Sequence, residues 1–291
     1  MISLAGAMNG SERCKEYEGL ARKVVELSNA DKIRIPLSLS HVVETGKIKG
    51  DRHFRVREFM GVISKLNVIV PPISREGRMV VNKLLRVQNR HPIHAYVLPH
   101  GSYGACLDAD EANMFKNIAT YFAPIPLSSC FRSGISDDVI TAYVTGANNY
   151  SKDFLKKFNE RKKEQKHSLL REELLINNLN FMLSQGRLPR GKESRFKRMV
   201  KKYEPEDLLR LAPFHYNKCL LEYERLKTGV LQRNDFFDVL SLSTAMPYCD
   251  VVVFESAFTN LARTAKIPGA RLFSTKQKEI KEFEAFLDTL A

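Results

Sequence analysis

The order of segments from Asn234 to the C-terminus constrains this chain most, because stretches of helical and strand character alternate there. NDFFDVLSLSTAMPYCD carries a helix opened by acids and closed before Pro247. DVVVFE (Asp250 to Glu255) is rich in β-branched residues and reads as a buried strand. SAFTNLARTA reads as a helix, ARLF as a last strand and TKQKEIKEFEAFLDTL as a closing helix. Helix, strand, helix, strand, helix at these lengths implies right-handed crossovers and a parallel sheet.

Upstream, residues 12–29 read as a helix, with Leu20, Val24 and Leu27 on one face. KIRIPL (Lys32 to Leu37) reads as a short strand, followed by a Ser-capped helix in SLSHVVETGKIKG. LNVIVPP (Leu66 to Pro72) is a second β-rich run, stopped by two prolines. The segment 150–230 reads as mainly helical, broken at Pro189 and Gly191 and restarting on a strongly basic helix.

Charge is the compositional feature that matters for function. Lys plus Arg number 46 against 33 Asp plus Glu, a formal charge of +13. Between Lys152 and Lys202 stand 16 Lys or Arg against 6 Asp or Glu. Such an excess points to a polyanionic partner, since neutralising phosphates releases condensed counterions. The same stretch carries Phe154, Phe158, Phe181, Phe196 and Tyr203, and aromatic rings can stack on unpaired bases. Arg187, Arg190, Lys192, Arg195, Lys197 and Arg198 are the expected nucleic-acid contacts, with single-stranded RNA as the expected partner. The bland alternative is that the rings form helix core and the lysines a solvated face. Cys14, Cys106, Cys130, Cys219 and Cys249 include no CxxC pair, which favours reduced thiols over zinc-ribbon or redox chemistry. No apolar run is long enough for a membrane span, and MISLAGAMNG lacks the basic flank of a signal peptide, so a cytoplasmic protein is expected.

In a parallel sheet, ligands bind at the carboxyl ends of the strands. Glu44 lies one turn into the helix after strand 32–37, Asp235 and Asp238 at the start of the helix before DVVVFE, and Glu255 at that strand's end. All four sit at one edge in this reading. Asp250 starts the strand and falls on the opposite side, about four residues away at ~3.3 Å each. A convergent carboxylate cluster suits Mg²⁺ or Mn²⁺, which would activate a water against a phosphodiester. Each acid also has a structural role open to it: Asp235 and Asp238 as a helix N-cap and N3 pair, Glu44 as an exposed helix residue, Glu255 as a strand-end polar group.

Two stretches, IPLSLSHVVETGK and NDFFDVLSLSTAMPYCDVVVFESAFTNLA, resemble the PIN-like nuclease family, and the ARLF strand and last helix resemble its ending. By that resemblance Glu44 is the family's second acid, Asp238 the third, Glu255 the fourth and Asp235 an accessory. It implies a three-layer α/β/α PIN-like sandwich with a central parallel sheet, a single domain over 1–291 with 150–230 as a long basic helical insertion. The implied activity is metal-dependent endoribonuclease, with Glu44, Asp238 and Glu255 as Mg²⁺ or Mn²⁺ ligands and Asp235 in support. A toxin or defence role, and a protein partner or second copy, fit the family. The family's first acid ends a strand before the first helix, and here MISLAGA already reads as that helix, so this strand is expected upstream of Met1. Its absence favours the alternative of a catalytically inactive RNA- or protein-binding module.

Other constellations carry less. His91, His94 and His100 have zinc-compatible spacing but no evident acid or thiol partner, and Asp108, Asp110 and Glu111 read as helix caps. Arg86 and His91 form an Rx4H spacing like that of metal-independent HEPN ribonucleases, although Pro92 disturbs the helix such a motif needs. Neither a phosphate loop nor a nucleophile elbow is present.

Overall fold

The computed structural model describes residues 2–46, 48, 50–70, 72–87, 97–98, 106, 109–123, 145, 149, 152–153, 155–157, 159–162 and 167–291. In chain order these form α1 (Ile2–Met8), a 3-10 segment (Glu12–Tyr17), α2 (Glu18–Asn29), α3 (Leu39–Thr45), α4 (Asp51–Ser64), β1 (Val68–Ile69), α5 (Ile73–Leu85), β2 (Val97–Leu98) and α6 (Ala109–Phe122). There follow α7 (His167–Gln185), α8 (Glu193–Val200), α9 (Pro205–Arg210), α10 (Pro213–Thr228), α11 (Arg233–Ala245), β3 (Val251–Phe254), α12 (Ser256–Thr264), β4 (Arg271–Ser274) and α13 (Gln277–Asp288). Contacts divide the chain into two compact units, residues 1–70, 97–146 and 276–291 forming the first and 71–96 with 147–275 the second.

In the first unit, the fully buried Leu37, Met60, Ile63, Phe115, Ile118 and Phe122 supply the core. Burial of each such side chain contributes roughly 1.5–3 kcal/mol. Gly61 lets α4 approach the end of α6, because a Cβ there would lie 2.0 Å from the Phe122 carbonyl oxygen. Among the described residues the expected strand 32–37 makes a single parallel bridge, Leu37 to Val68. Pro36 removes a ladder donor just before it. β1 pairs antiparallel with β2, Val68 opposite Leu98 and Ile69 opposite Val97. Around Tyr121, the Arg57 guanidinium lies 4.2 Å over the ring, and the hydroxyl meets His53 Nε2 at 2.7 Å and accepts from Thr45 Oγ1 at 3.1 Å.

The second unit is organised around α10, which packs against α5, α7, α9, α11 and α12. Its core joins Val80, Val81 and Leu84 of α5 to Leu174 and Met182 of α7 and to Leu208 and Leu209 of α9. The helices α5 and α7 come close at paired glycines: a Cβ on Gly77 would lie 2.3 Å from the Met182 carbonyl oxygen, and one on Gly186 2.4 Å from Val81 Cγ2. A closed polar triangle ties α7 to α10, in which Lys218 Nζ donates to Glu222 at 2.6 Å and to Asn178 at 3.0 Å, and Asn178 Nδ2 donates to Glu222 at 3.2 Å. The C-terminal alternation forms as the sequence implies: β3 and β4 pair in parallel, Val251 opposite Arg271 through Phe254 opposite Ser274. Gly269, at φ 128°, lets the chain turn under Met246 into β4.

The expected three-layer α/β/α sandwich is not the fold. Among the described residues the strands are two to four residues long and make two separate two-stranded pairings, one in each unit, so no central parallel sheet exists for helices to cover. The β-branched run Val251–Val253 selects a strand but says nothing about how many neighbours that strand acquires. The stretch read as a helical insertion instead supplies much of the second unit's buried core, through Leu170, Leu174, Leu175, Leu179 and Met182.

A buried carboxylate starts α10. Its N-cap position is Ala212, which has no side-chain acceptor, and Pro213 follows at the first helical position. Glu76, from the first turn of α5, substitutes for the cap: it accepts from Phe214 N–H at 2.9 Å and His215 N–H at 3.3 Å, and from the Tyr248 hydroxyl. Burial pushes its pKa up to about 7, against the opposing pull of those hydrogen bonds. His215 beside it is fully buried, and burial lowers its pKa to about 3. Its Nε2 lies 3.2 Å from the Ile73 carbonyl oxygen, which only accepts, so that nitrogen carries the proton.

The two groups pull the pH profile in opposite senses. Glu76, with a folded pKa above the ordinary 4.5, contributes stability fully present below about pH 4.5 and lost as pH rises through 7, roughly 3 kcal/mol across the window. His215, with a depressed pKa, contributes stability present above 6.5 and lost as pH falls from there toward 3. The Glu76 component is therefore read as a difference: urea midpoints at pH 5 and pH 8 for the wild type and Glu76→Gln. The substitution is expected to destabilise at pH 5 and to shrink the loss of stability toward pH 8. An unchanged pH increment in the variant would mean that Glu76 does not titrate in this window.

Candidate functional site

The four acids of the expected metal site occupy ordinary positions. Glu44 lies in the last turn of α3, exposed, in the first unit. Asp235, Asp238 and Glu255 belong to the second. α11 begins at Arg233, which makes Asp235 its N3 residue rather than its N-cap. Its Oδ2 accepts from the Gln232 backbone N–H at 2.7 Å and lies 2.9 Å from the Arg225 guanidinium. Asp235 therefore starts α11 and ties it to α10. Asp238 is half-buried one turn later. Glu255 stands exposed at the N-cap of α12, without a side-chain capping bond. Asp250, as expected, sits at the other end of β3. Among the described residues no three of His, Cys, Asp or Glu come together in a group able to hold a metal ion. These acids do not fit an Mg²⁺ or Mn²⁺ centre as arranged.

Other sequence candidates resolve in part. Arg86 is the C-cap of α5, in a left-handed conformation at φ 54°, so it stands at a helix end rather than within a helix. His91, His94, His100, Asp108 and Cys130 lie outside the described residues, as do the side chains of Phe154 and Phe158. Asp110 and Glu111 fall in the first turn of α6, where acids favour the helix dipole. Cys14, Cys106, Cys219 and Cys249 form no disulfide, and burial pushes the Cys219 thiol up to about 12. Ser38 and His41 stand 3.1 Å apart, but the Nδ1 of His41 already accepts from the Ser38 N–H at 3.0 Å. That pair is a helix cap.

The basic stretch forms the most distinctive surface. After α7 the chain turns at Arg187, Pro189 and Gly191, the last at φ 77°, and enters α8. Phe196 is 6% exposed and packs into the second unit's core, with Met199 and Val200 half-buried against the same cluster. This i, i+3, i+4 face turns inward, and the remainder of the helix faces solvent. Arg187, Arg190, Arg195, Lys197, Arg198, Lys201 and Lys202 are exposed and Lys192 is partly so. Glu193 is the sole acid among residues 187–202.

Several cations elsewhere in this unit are paired with carboxylates. Arg171 and Arg210 share Glu206, Lys218 pairs with Glu222, Arg225 with Asp235 and Lys227 with Glu224. Arg190, Lys192, Arg195, Lys197, Arg198, Lys201 and Lys202 make no ion pair with any described residue. Like charges stand three or four apart along this ridge (Arg195 and Arg198, Lys197 and Lys201, Arg198 and Lys202), each pair costing a few tenths of a kcal/mol. The burial of Phe196, worth about 2 kcal/mol, offsets that repulsion. The outcome is a rigidly based ridge of positive charge.

The aromatic residues expected beside these cations are mostly structural. Phe196 is core, and Phe181 is half-buried edge-on to His215, ring centroids 5.9 Å apart. Tyr203 alone among the described rings of the stretch is exposed, at 46%. Among the described residues no helix is long and apolar enough to cross a membrane. Comparison with known proteins found no matching family, no matching curated protein and no matching solved structure.

Replacing Asp235 by Ala removes a helix cap and leaves Arg225 without its carboxylate. It is expected to lower stability by about 2 kcal/mol in urea titrations. Glu255→Ala, at an exposed site, is expected to stay within about 0.5 kcal/mol. A neutral Asp235→Ala would contradict the structural role assigned to that acid.

Proposed function

We propose that this chain is a nucleic-acid-binding protein that grips the phosphate backbone, with RNA as its expected partner. The supporting observation is the unneutralised ridge from Arg190 to Lys202, set on a helix anchored through Phe196. Fixed cations of this density displace the condensed counterions of a polyanion, and the released ions drive association. Guanidinium groups at Arg190, Arg195 and Arg198 can clasp phosphate oxygens in bidentate fashion, while the lysines act as point charges. No base is read by charge alone, so the ridge binds without strong sequence preference.

The test is a salt titration of binding to a labelled RNA strand, comparing the wild type with Arg195→Gln/Arg198→Gln/Lys202→Gln. Removing three phosphate contacts is expected to weaken binding and to reduce the slope of log Kd against log salt by about 2. An unchanged slope and affinity in a folded variant would end the proposal. The same samples incubated with Mn²⁺ or EDTA test the acids. Metal-dependent cleavage lost in Asp238→Ala would put a nuclease in place of a binding protein.

A further inference from the structure

Resting on that phosphate-binding reading, we infer that Tyr203 stacks on an unpaired base at the end of the ridge, which makes single-stranded nucleic acid the ligand class. Neighbouring rings in the second unit are already engaged. Phe196 is buried, Phe181 meets His215, Tyr216 donates to Glu206 at 2.9 Å beneath the Arg210 guanidinium, and Tyr223 carries the Lys227 ammonium 5.2 Å from its centroid. Tyr203 has no ring, cation or side-chain hydrogen-bond partner among the described residues and is 46% exposed. Its backbone is nonetheless fixed: its N–H donates to the Val200 carbonyl at 3.1 Å, closing the turn that ends α8. The ring therefore stands on a set base, directly after Lys201 and Lys202 in the chain.

Geometry and chemistry together select an unpaired strand. A strand whose phosphates follow the ridge carries its bases alongside, and a flat amphipathic ring at the end of that track offers one base a stacking face. Bases in a duplex are already stacked on their neighbours, and unstacking a step to admit the ring costs free energy that the free strand does not pay. The ring meets the face of the base rather than its hydrogen-bonding edge, so any base serves. It also makes no contact with the 2′-hydroxyl, so RNA and DNA strands of one sequence lose alike when it is removed.

The experiment uses the full chain and fluorescein-labelled 12-mers: an RNA strand, the DNA strand of the same sequence and the RNA duplex. A parallel RNA strand carries 2-aminopurine, whose emission falls on stacking. Tyr203→Ala is expected to weaken binding to both single strands between about 5- and 150-fold. It should leave duplex binding and the salt slope unchanged and abolish the 2-aminopurine quench. Tyr203→Phe, which keeps the ring, should restore affinity and quench. Single-strand affinity retained in Tyr203→Ala, or an equal loss on strand and duplex, would overturn the assignment while leaving the ridge intact. Binding indifferent to Arg195→Gln/Arg198→Gln/Lys202→Gln as well would show that the phosphate-binding reading itself had failed.

Discussion

The second unit depends on one buried carboxylate. α10 touches five other helices, yet its first residues offer nothing with which to begin it: alanine at the cap, proline after it. Two backbone N–H groups at that end would be left unsatisfied in the protein interior, at a cost of about 1–3 kcal/mol each. Glu76 supplies both acceptors from a helix 138 residues away in sequence and collects the Tyr248 hydroxyl as well, so α5, α10 and the turn after α11 meet at a single side chain. Below it, the Lys218–Glu222–Asn178 triangle fixes α10 against α7. Buried polar groups of this kind add little net stability but penalise any packing in which their partners are misplaced.

Against that frame, the ridge shows how one short helix serves two masters. The inward face of α8 is apolar and closes the core, so its outward face can hold like charges together without the helix lifting away. Surface ion pairs are worth little for stability, which makes the difference between α8 and its neighbours a matter of electrostatic potential. Where Glu206, Glu222 and Asp235 stand, the field of nearby cations is cancelled; along 190–202 it is left to reach into solvent over roughly a Debye length, about 8–10 Å.

Much of the local structure was legible. The β-branched run at 251–253, the helix after it, the strand at 271–274 and the closing helix all form where period and propensity place them. Partnership was not legible. A strand is specified by its own residues, but the number of neighbours it gains depends on distant segments, and Pro36 limits the one nearby candidate to a single bridge. The acids were sorted by the edge of a wide parallel sheet, whereas β3 pairs only with β4 among the described residues; Asp235 takes the capping role open to it, as the N3 residue of α11 and a partner of Arg225. Between the two readings open for the aromatic residues, Phe196 takes the core one, because it lies among cations in sequence but on the opposite face in space. Glu76 was missed altogether, since a glutamate in a first helical turn looks unremarkable. The missing signal lay elsewhere, in Ala212–Pro213, a helix start without a cap that demanded one from another segment.

The first unit is assembled from three stretches of chain, with the whole of the second unit's residues lying between them in sequence. α13 contacts α2, and Asp288 pairs with Lys23 across a separation of 265 residues. During synthesis at roughly 5–20 residues per second, α2 therefore waits at least ten seconds or so for the helix that covers it. Its apolar side, through Leu20, Val24 and Leu27, can be shielded in the meantime by α1 and α4, which are made early. The surface reserved for α13 stays open until the ribosome has delivered residue 288, so this unit is a late finisher.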